Sequence, residues 1–525
     1  MESSDRLSGP SDSRNSETRS GAENPDSGTG TELSVHVTAA EIFPELEALA
    51  DGAREELLLS FRIFDPKTKL RTPALRDRGL DDWGDLLALV VRRGVRLRLV
   101  VTDFDPLFAS DLHRLSWSTA SGIVNRVTGD AEVLIAPHGQ EVGWIWRRAL
   151  ILQVAEKLRE LKREAQNRLT PVQRKVLKSR PFLWPVSLHQ KVAVADGRVA
   201  IVGGLDLNER RWDDNDHDRP AEETWHDVSA RVEGSFAGAV RAHVVDTWNA
   251  AIEAGASSVD GRATPLEAPV REQGTSELRL VRTVSTARNG PFGFGPAPHL
   301  TENEDVTLQG IAAARRHIYI ESQFLRHRPI TRALIAAANR VPDLQLVLLL
   351  PPEPERILFG GDDTWDARHA HALQTLSLND VRDAYGDRVA LISPGQNRPA
   401  SEGFAGALGG AGPIYVHAKV TLIDDTFGMV GSANLNGRSM RWDTEASILF
   451  RRPTVIRDLR LKLARKWLGA HLGDQDSTRA EVWNVAAREN AARPPEERQG
   501  FVMPYPLGRG RRFARYLPLL PDEMF

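Results

Sequence analysis

Two stretches of the chain place a histidine and a lysine two residues apart in apolar, β-branched surroundings. One is "SLHQKVAVADGRVAIVGGLDL", with His189, Lys191 and Asp196; the other is "YVHAKVTLIDDTFGMVGSANLNG", with His417, Lys419 and Asp424. Both read H-x-K-x-x-x-x-D, and a glycine pair (Gly203, Gly204) or Gly-Ser (Gly431, Ser432) follows at the same distance. In a strand, residues i and i+2 share a face, so each histidine is expected to project with its lysine. If the two copies face each other, two imidazoles and two ammoniums converge. Buried cations are costly unless matched, so such a site calls for an anion. A tetrahedral phosphate fits: lysines neutralise its oxygens, one imidazole attacks phosphorus and the other protonates the leaving alcohol. Histidine suits both tasks because it titrates near neutrality. One H-x-K says little, since a lone buried histidine is usually a hydrogen-bonded core residue; the paired, extended motif points to catalysis.

The elements that must hold these motifs repeat as well. "EELLLSFRIF" (Glu55 to Phe64) parallels "RHIYIESQFL" (Arg316 to Leu325). Each precedes a helix-like segment, "DLLALVVRRG" or "ALIAAANRVP", and then a continuous apolar run, "VRLRLVV" or "LQLVLLL", as in buried strands. Alternating strands and helices predict an α/β fold. The expectation is two homologous lobes, each a mixed β-sheet flanked by helices, packed as a pseudo-twofold unit around one site. The first lobe is expected over 35–253 and the second over 278–525, joined by a Gly/Pro/Ser-rich linker, 254–277. Residues 1–34 are polar and poor in apolar side chains, and read as a disordered tail.

The bulk properties exclude several classes. At 525 residues the chain accommodates two large lobes. A net charge of −3 argues against a polyanion binder, so any attraction to phosphate must be local. There are no cysteines, hence no disulfides or thiolate metal sites. No apolar run approaches the roughly 20 residues of a membrane span, and the N-terminus does not read as a standard secretory signal. The protein is therefore expected to be soluble, either cytoplasmic or exported by a non-classical route, and peripheral to membranes.

The two motifs resemble the signature of the phospholipase D superfamily, H-x-K-x-x-x-x-D followed by G-G or G-S and then Asn. The second is complete, with His417, Lys419, Asp424, Gly431, Ser432 and Asn434; the first has Asp206 where Asn is usual. "GGLDLNERRWDD", "ETWHDVSARVEG", "IYIESQFL" and "LARKWLGAHLG" resemble the catalytic part of the large eukaryotic-type phospholipase D enzymes. The resemblance implies that His189 is the nucleophile that becomes a phosphohistidine. It also implies that His417 is the general acid and then the base that activates water. Lys191, Lys419, Asn434 and Ser432 would hold the phosphate. Asp196 and Asp424 complete the catalytic motif. Strand parity, however, sets them on the opposite face from the lysines, which suggests a structural or orienting part. An ionised Asp206 would repel phosphate, so it is expected to point away and fix the turn. Triad logic asks for a carboxylate behind each imidazole, and Asp227 and Glu445 are the candidates. No metal ion or cofactor is expected.

Three further segments carry possible function. Residues 147–180 are basic and helix-like, with Trp144, Trp146 and Trp184 nearby, and lack a counterpart in the second lobe. They read as an insertion that could rest on anionic lipid, or as a solvated helix packed by its Leu/Val stripe. "SEGFAGALGGAGP" could line the site or merely connect strands. "WDDNDHDRPAEETW" is acidic and could meet a cationic headgroup such as choline. The functional expectation is a phosphodiesterase hydrolysing glycerophospholipids, phosphatidylcholine-like ones first, to phosphatidate and free headgroup, with transfer to alcohols. A cardiolipin synthase-like phosphatidyltransferase and a nuclease of the same superfamily are the alternatives. The expected partner is phospholipid at a membrane surface, with no stable nucleic-acid partner and a monomeric state.

Overall fold

The computed structural model describes residues 31–525 except 180, 259–260, 262, 268–275, 289 and 517–520. The strands of the first lobe are β1 (Glu32–Val37), β2 (Glu56–Phe61), β3 (Arg96–Thr102), β4 (Ala131–Ala136), β5 (Val192–Ala195), β6 (Val199–Gly203), β7 (Trp225–His226), β8 (Val228–Glu233) and β9 (Ser257–Ser258). Those of the second are β10 (Leu278–Thr286), β11 (Ala297–Thr301), β12 (His317–Glu321), β13 (Gln345–Leu349), β14 (Val389–Pro399), β15 (Ala411–Pro413), β16 (Tyr415–Val416), β17 (Val420–Ile423), β18 (Phe427–Gly431), β19 (Glu445–Phe450) and β20 (Val502–Pro504).

The two large sheets have one topology. The first runs β1-β8-β6-β5-β2-β3-β4-β9; the second contains the matching path β10-β19-β18-β17-β12-β13-β14-β15. In each, three strands are parallel (β2-β3-β4 and β12-β13-β14) and the motif hairpin joins them antiparallel. This is the mixed α/β, two-lobed fold expected from the repeat.

Alternation within the motif hairpins explains the packing. Val192, Val194, Ala200 and Val202 face a core shared with Val420, Leu422, Val430 and Ile448 of the other lobe. Their neighbours Ala193, Ala195 and Ile201 face the first lobe's own helices, and Ile423, Phe427 and Met429 do the same in the second. Both sheets are therefore covered on both faces, which is why their strands read as unbroken apolar runs. The lobes meet through a continuous apolar core, so their relative position is set by the same close packing that holds each lobe together.

β1 begins at Glu32, inside the stretch read from composition as tail, and Leu33 and Val35 pack against the shared core. Residues 1–30 lie outside the described residues. Of the expected linker, Ser257–Ser258 pairs with β4, and Thr264 and Leu266 bond to Glu132 and Asn249 of the first lobe. The rest of that linker lies largely outside the described residues. The basic segment forms helices Ile151–Arg163 and Pro171–Lys178 after a short helix, Trp144–Ala149. The second of these starts with a capping box at Thr170 and Gln173, with Pro171 at the first helical position.

Candidate active site

Each H-x-K lies in the extended segment leading into its strand, β5 or β17, rather than within the strand. These leading segments cross to the other lobe. The His189 N–H donates to Thr444 O at 3.0 Å, and the His417 N–H donates to His226 O at 2.8 Å. β16 pairs in parallel with β7, and Leu188 bridges Thr444. The pairing places each histidine beside a carboxylate of the opposite lobe. His417 Nδ1 is 2.7 Å from Asp227 Oδ2, and His189 Nδ1 is 2.9 Å from Glu445 Oε1. The two orienting candidates thus meet the two histidines, in a crossed arrangement that neither motif alone announces. A partner at Nδ1 fixes the ring and turns Nε2 outward.

Each lysine reaches back to the backbone of its own histidine. Lys191 Nζ donates to His189 O at 2.6 Å, and Lys419 Nζ donates to His417 O. Both are buried, as are both histidines. His189 and His417 line one cleft of about 730 Å³, together with Asn434. Burial first, then the nearby lysines, holds both imidazoles well below their ordinary value. Burial also pulls Lys419 down to about 7 and pushes Asp227 up to about 7 and Glu445 to about 8. In all of them burial is the first cause, so the shifts report a dry site.

Asp196 and Asp424 are not at the cleft. Each sits in the turn at the far end of its strand, with φ of 54° and 51°, in the left-handed region that Asp tolerates better than most residues. Asp196 accepts from the backbone N–H of Arg54, Glu55 and Glu56 at 2.8–2.9 Å. Asp424 accepts from Arg315, Arg316 and His317 at 2.9–3.0 Å. The motif aspartates therefore staple the hairpin to the start of β2 or β12. Counting them as catalytic is corrected here: four strand residues separate each from its lysine.

Asp206 Oδ1 accepts from Ile63 N at 3.0 Å and lies 3.9 Å from Lys191 Nζ, so it does fix the turn, while staying beside the lysine. Its counterpart Asn434 donates to Gln323 Oε1 at 3.2 Å. Ser432 Oγ donates to Glu445 Oε2 at 2.5 Å and to Ala446 O. It acts behind Glu445 rather than as a phosphate ligand, which corrects that assignment. Gly204, the equivalent of Ser432, has no room for a side chain, since a Cβ there would sit 2.3 Å from Asp227 Oδ1.

The glycine-rich loop does not line the cleft; its Phe404 packs beside Trp225, Leu358 and Tyr415. None of the acids in "WDDNDHDRPAEETW" reaches the cleft either. Asp213 is buried, held by His217 and the Trp225 N–H. The cleft is instead lined by arginines, among them Arg62, Arg211, Arg326 and Arg438. Sequence reading missed these. Arg62 was within reach: the alignment of "EELLLSFRIF" with "RHIYIESQFL" sets it opposite Gln323.

Residues 307–467 match the family model described as cardiolipin synthase, PLD-like domain. Phospholipase D A of Dictyostelium discoideum is 25% identical over 334 residues, covering 53% of this chain and 25% of that protein. Cardiolipin synthase A of Pseudomonas putida (strain W619) is 24% identical over 271 residues, covering 51% of this chain and 44% of that protein. The chain thus spans less than half the length of these curated relatives. Among solved structures, phosphatidylserine synthase from Haemophilus influenzae Rd KW20 aligns at 9% identity and a TM-score of 0.49, covering 83% of this chain and 85% of that one.

Proposed function

The chain belongs to the phospholipase D superfamily, and from that premise we propose that it cleaves glycerophospholipids to phosphatidate and a free headgroup. The observation that carries this reading is the crossed pair of imidazole–carboxylate contacts, whose two histidines line one cleft, each with a buried lysine bonded to its own backbone carbonyl. In the first step His189 Nε2 forms a bond to phosphorus as the phosphorus–oxygen bond to the headgroup breaks. Protonated His417 gives its proton to the departing oxygen. In the second, His417 takes a proton from water while the water oxygen bonds to phosphorus and the phosphorus–nitrogen bond breaks. Lys191, Lys419 and Asn434 hold the phosphate oxygens, and Asp227 and Glu445 stabilise each imidazolium in turn. Arrival of the anionic phosphate opposes the burial that keeps His417 neutral, and so favours the protonated acid the first step needs. The resemblance in the first motif supports giving the nucleophile's part to His189.

The membrane is the partner of this reading. Among the described residues no helix is long and apolar enough to cross one. Leu152, Ile151 and Trp144 of the insertion, and Phe292 beside it, are 78%, 54%, 50% and 75% exposed, next to the exposed bases Arg159, Lys162 and Arg163. Thr170 and Gln173 of the insertion bond to helix Ser110–Arg126, whose Leu112 and Leu115 line the cleft, which supports a membrane-facing part for this surface. Apolar tips ringed by bases suit an anionic bilayer.

A phosphatidyltransferase differs only in which alcohol resolves the intermediate, and the match of 307–467 to a cardiolipin synthase description keeps that outcome open to test. The purified protein is offered phosphatidylcholine and phosphatidylglycerol vesicles with and without ethanol. Phosphatidate alone, turning to phosphatidylethanol as ethanol rises, is the expected result. Cardiolipin from phosphatidylglycerol would make it a transferase. Cleavage of single-stranded DNA with no lipid product would replace the proposal by a nuclease.

A further inference from the structure

The arginines of the cleft are not equivalent. Arg438 makes a two-pronged ion pair with Asp443 at 2.9 and 3.0 Å. Arg210 and Arg211 share Glu355 at 2.7 and 3.5 Å, and Arg356 holds Asp362 and Asp366. Among the described residues Arg62 has no acid in ion-pair range, but Asp206 is the carboxylate that acts on it most strongly. Arg62 and Asp206 occupy the positions that Gln323 and Asn434 fill in the other lobe. A charged pair thus replaces a pair of amides, and the net charge of the two half-sites stays equal.

Arg326 has no such match. It follows β12 at the position where the first lobe has Asp65, as the parallel bonds Asp65 N to Leu207 O and Arg326 N to Leu435 O show. Only 6% of it is exposed, and it lines the cleft. Its Nε and Nη2 have no hydrogen-bond partner, and among the described residues no carboxylate is within ion-pair range. Its one close neighbour of note is the Phe324 ring, 3.9 Å from the guanidinium carbon. Burial without a counter-charge depresses it to about 9. A buried guanidinium left unpaired is among the costliest arrangements a fold can hold. The Phe324 ring offsets part of that cost, and an anion entering the cleft would offset the rest.

We propose that Arg326 binds a second anionic group of the substrate, beside the scissile phosphodiester, so that the lipid taken here carries a phosphate or carboxylate in its headgroup. This deepens the lipid-cleaving reading and rests on it. The phosphodiester itself is served by the two lysines and Asn434, and Asn434 adjoins the residue that accepts from the Arg326 N–H. A diacylglycerol arm has no anion to offer, which leaves the headgroup as its source. The arrangement disfavours choline, whose quaternary ammonium would meet an unpaired cation, and the acidic segment that could have received choline lies away from the cleft.

The test separates the anion site from the lipid reading by using binding as well as turnover. Glycerol 1,3-bisphosphate and glycerol 3-phosphate are titrated calorimetrically into the full chain. The wild type is expected to bind the bisphosphate about tenfold more tightly or better, as a charge-assisted contact implies. Arg326→Gln and Arg326→Met should bring the two within about twofold, while Arg210→Gln, which removes an equal charge from the cleft wall, keeps the preference. In turnover of short-chain lipids, Arg326→Gln should lower kcat/KM for phosphatidylserine about tenfold and leave phosphatidylcholine within about threefold. Equal binding of the two probes by the wild type, or a preference that survives in both Arg326 variants, would overturn the proposal. Bisphosphate preference lost in the variants, with no phospholipid turned over by the wild type, would uphold the anion site and remove the lipase reading.

Discussion

The hairpin after each H-x-K motif is built alike in the two lobes, down to an aspartate in the left-handed turn that takes three backbone N–H groups. The residues at the cleft and directly behind it are not alike. Asp206 and Arg62 stand opposite Asn434 and Gln323, Gly204 opposite Ser432, Asp227 opposite Glu445, and Asp65 opposite Arg326. Duplication has kept what holds the backbone and varied what meets the ligand. The physical reason lies in the chemistry: one imidazole must start neutral and the other protonated, so two identical environments would serve neither task. A hairpin turn, by contrast, has one solution for both lobes.

The largest effect should come from the histidines themselves. His189→Ala and His417→Ala are each expected to cost on the order of 10⁴-fold in kcat for a phospholipid. The comparison breaks open with a p-nitrophenyl phosphodiester, whose leaving group needs little protonation. His417→Ala should then recover much of the first-step rate, read as a burst of p-nitrophenol, and carry substrate phosphate on His189, found by acid-quenched mass spectrometry. Phosphate on His417 would exchange the two roles.

Next come the crossed carboxylates. Asp227→Asn and Glu445→Gln should each lose about 10²–10⁴-fold in kcat with KM little changed. Asp227→Asn should act through His417, so its loss shrinks with the activated leaving group. Glu445→Gln should act through His189 and lose as much with either substrate. Identical responses would show that the lobes do not divide the work.

The motif aspartates sharpen the contrast from the other side. Asp196→Ala and Asp424→Ala should each lose about 2–4 kcal/mol of stability, as three N–H groups lose a charged acceptor. Activity per folded molecule should stay near wild type, with urea unfolding and active-site titration as the measurements. A kcat loss at full folding would return these residues to the catalytic set.

Smaller again is the effect of the unpaired insertion. Reversing Arg159, Lys162 and Arg163 to Glu should weaken binding to anionic vesicles about tenfold and spare a soluble short-chain substrate. Equal loss on both would point to misfolding. The smallest shift concerns pH. Attack requires neutral His189, which burial and nearby cations hold well below its ordinary value. The acid limb of kcat/KM should therefore fall below pH 6.5, because protonation that disables the nucleophile comes late. Arg62→Gln removes one of those cations and should move the limb upward. No movement would mean that Arg62 does not act on the first half-site.

Much of this was legible in the chain. The repeated spacing of His189, Lys191 and Asp196 with His417, Lys419 and Asp424 pointed to two like lobes, and both histidines line one cleft. Both H-x-K segments lie outside regular strand, and each lysine bonds to the backbone carbonyl of its own histidine. Asp227 and Glu445 could be named as candidates because triad logic asks for a carboxylate behind each imidazole. Strand parity also warned that Asp196 and Asp424 face away from the lysines.

What the sequence could not assign was partnership across the lobes. That Asp227 serves His417 and Glu445 serves His189 follows from β16 pairing with β7 and from the Leu188–Thr444 bridge. These are contacts between residues some two hundred positions apart, with no local signature. The same holds for charge balance in the cleft. Periodicity places a side chain on a face, but whether an arginine there is paired depends on which carboxylates the other elements bring within about 4 Å. Arg438 found Asp443, Arg211 found Glu355, and Arg326 found none. Local pattern fixes direction along the chain, while pairing and desolvation are properties of distance in three dimensions, and those arise only when the two sheets close on their shared core.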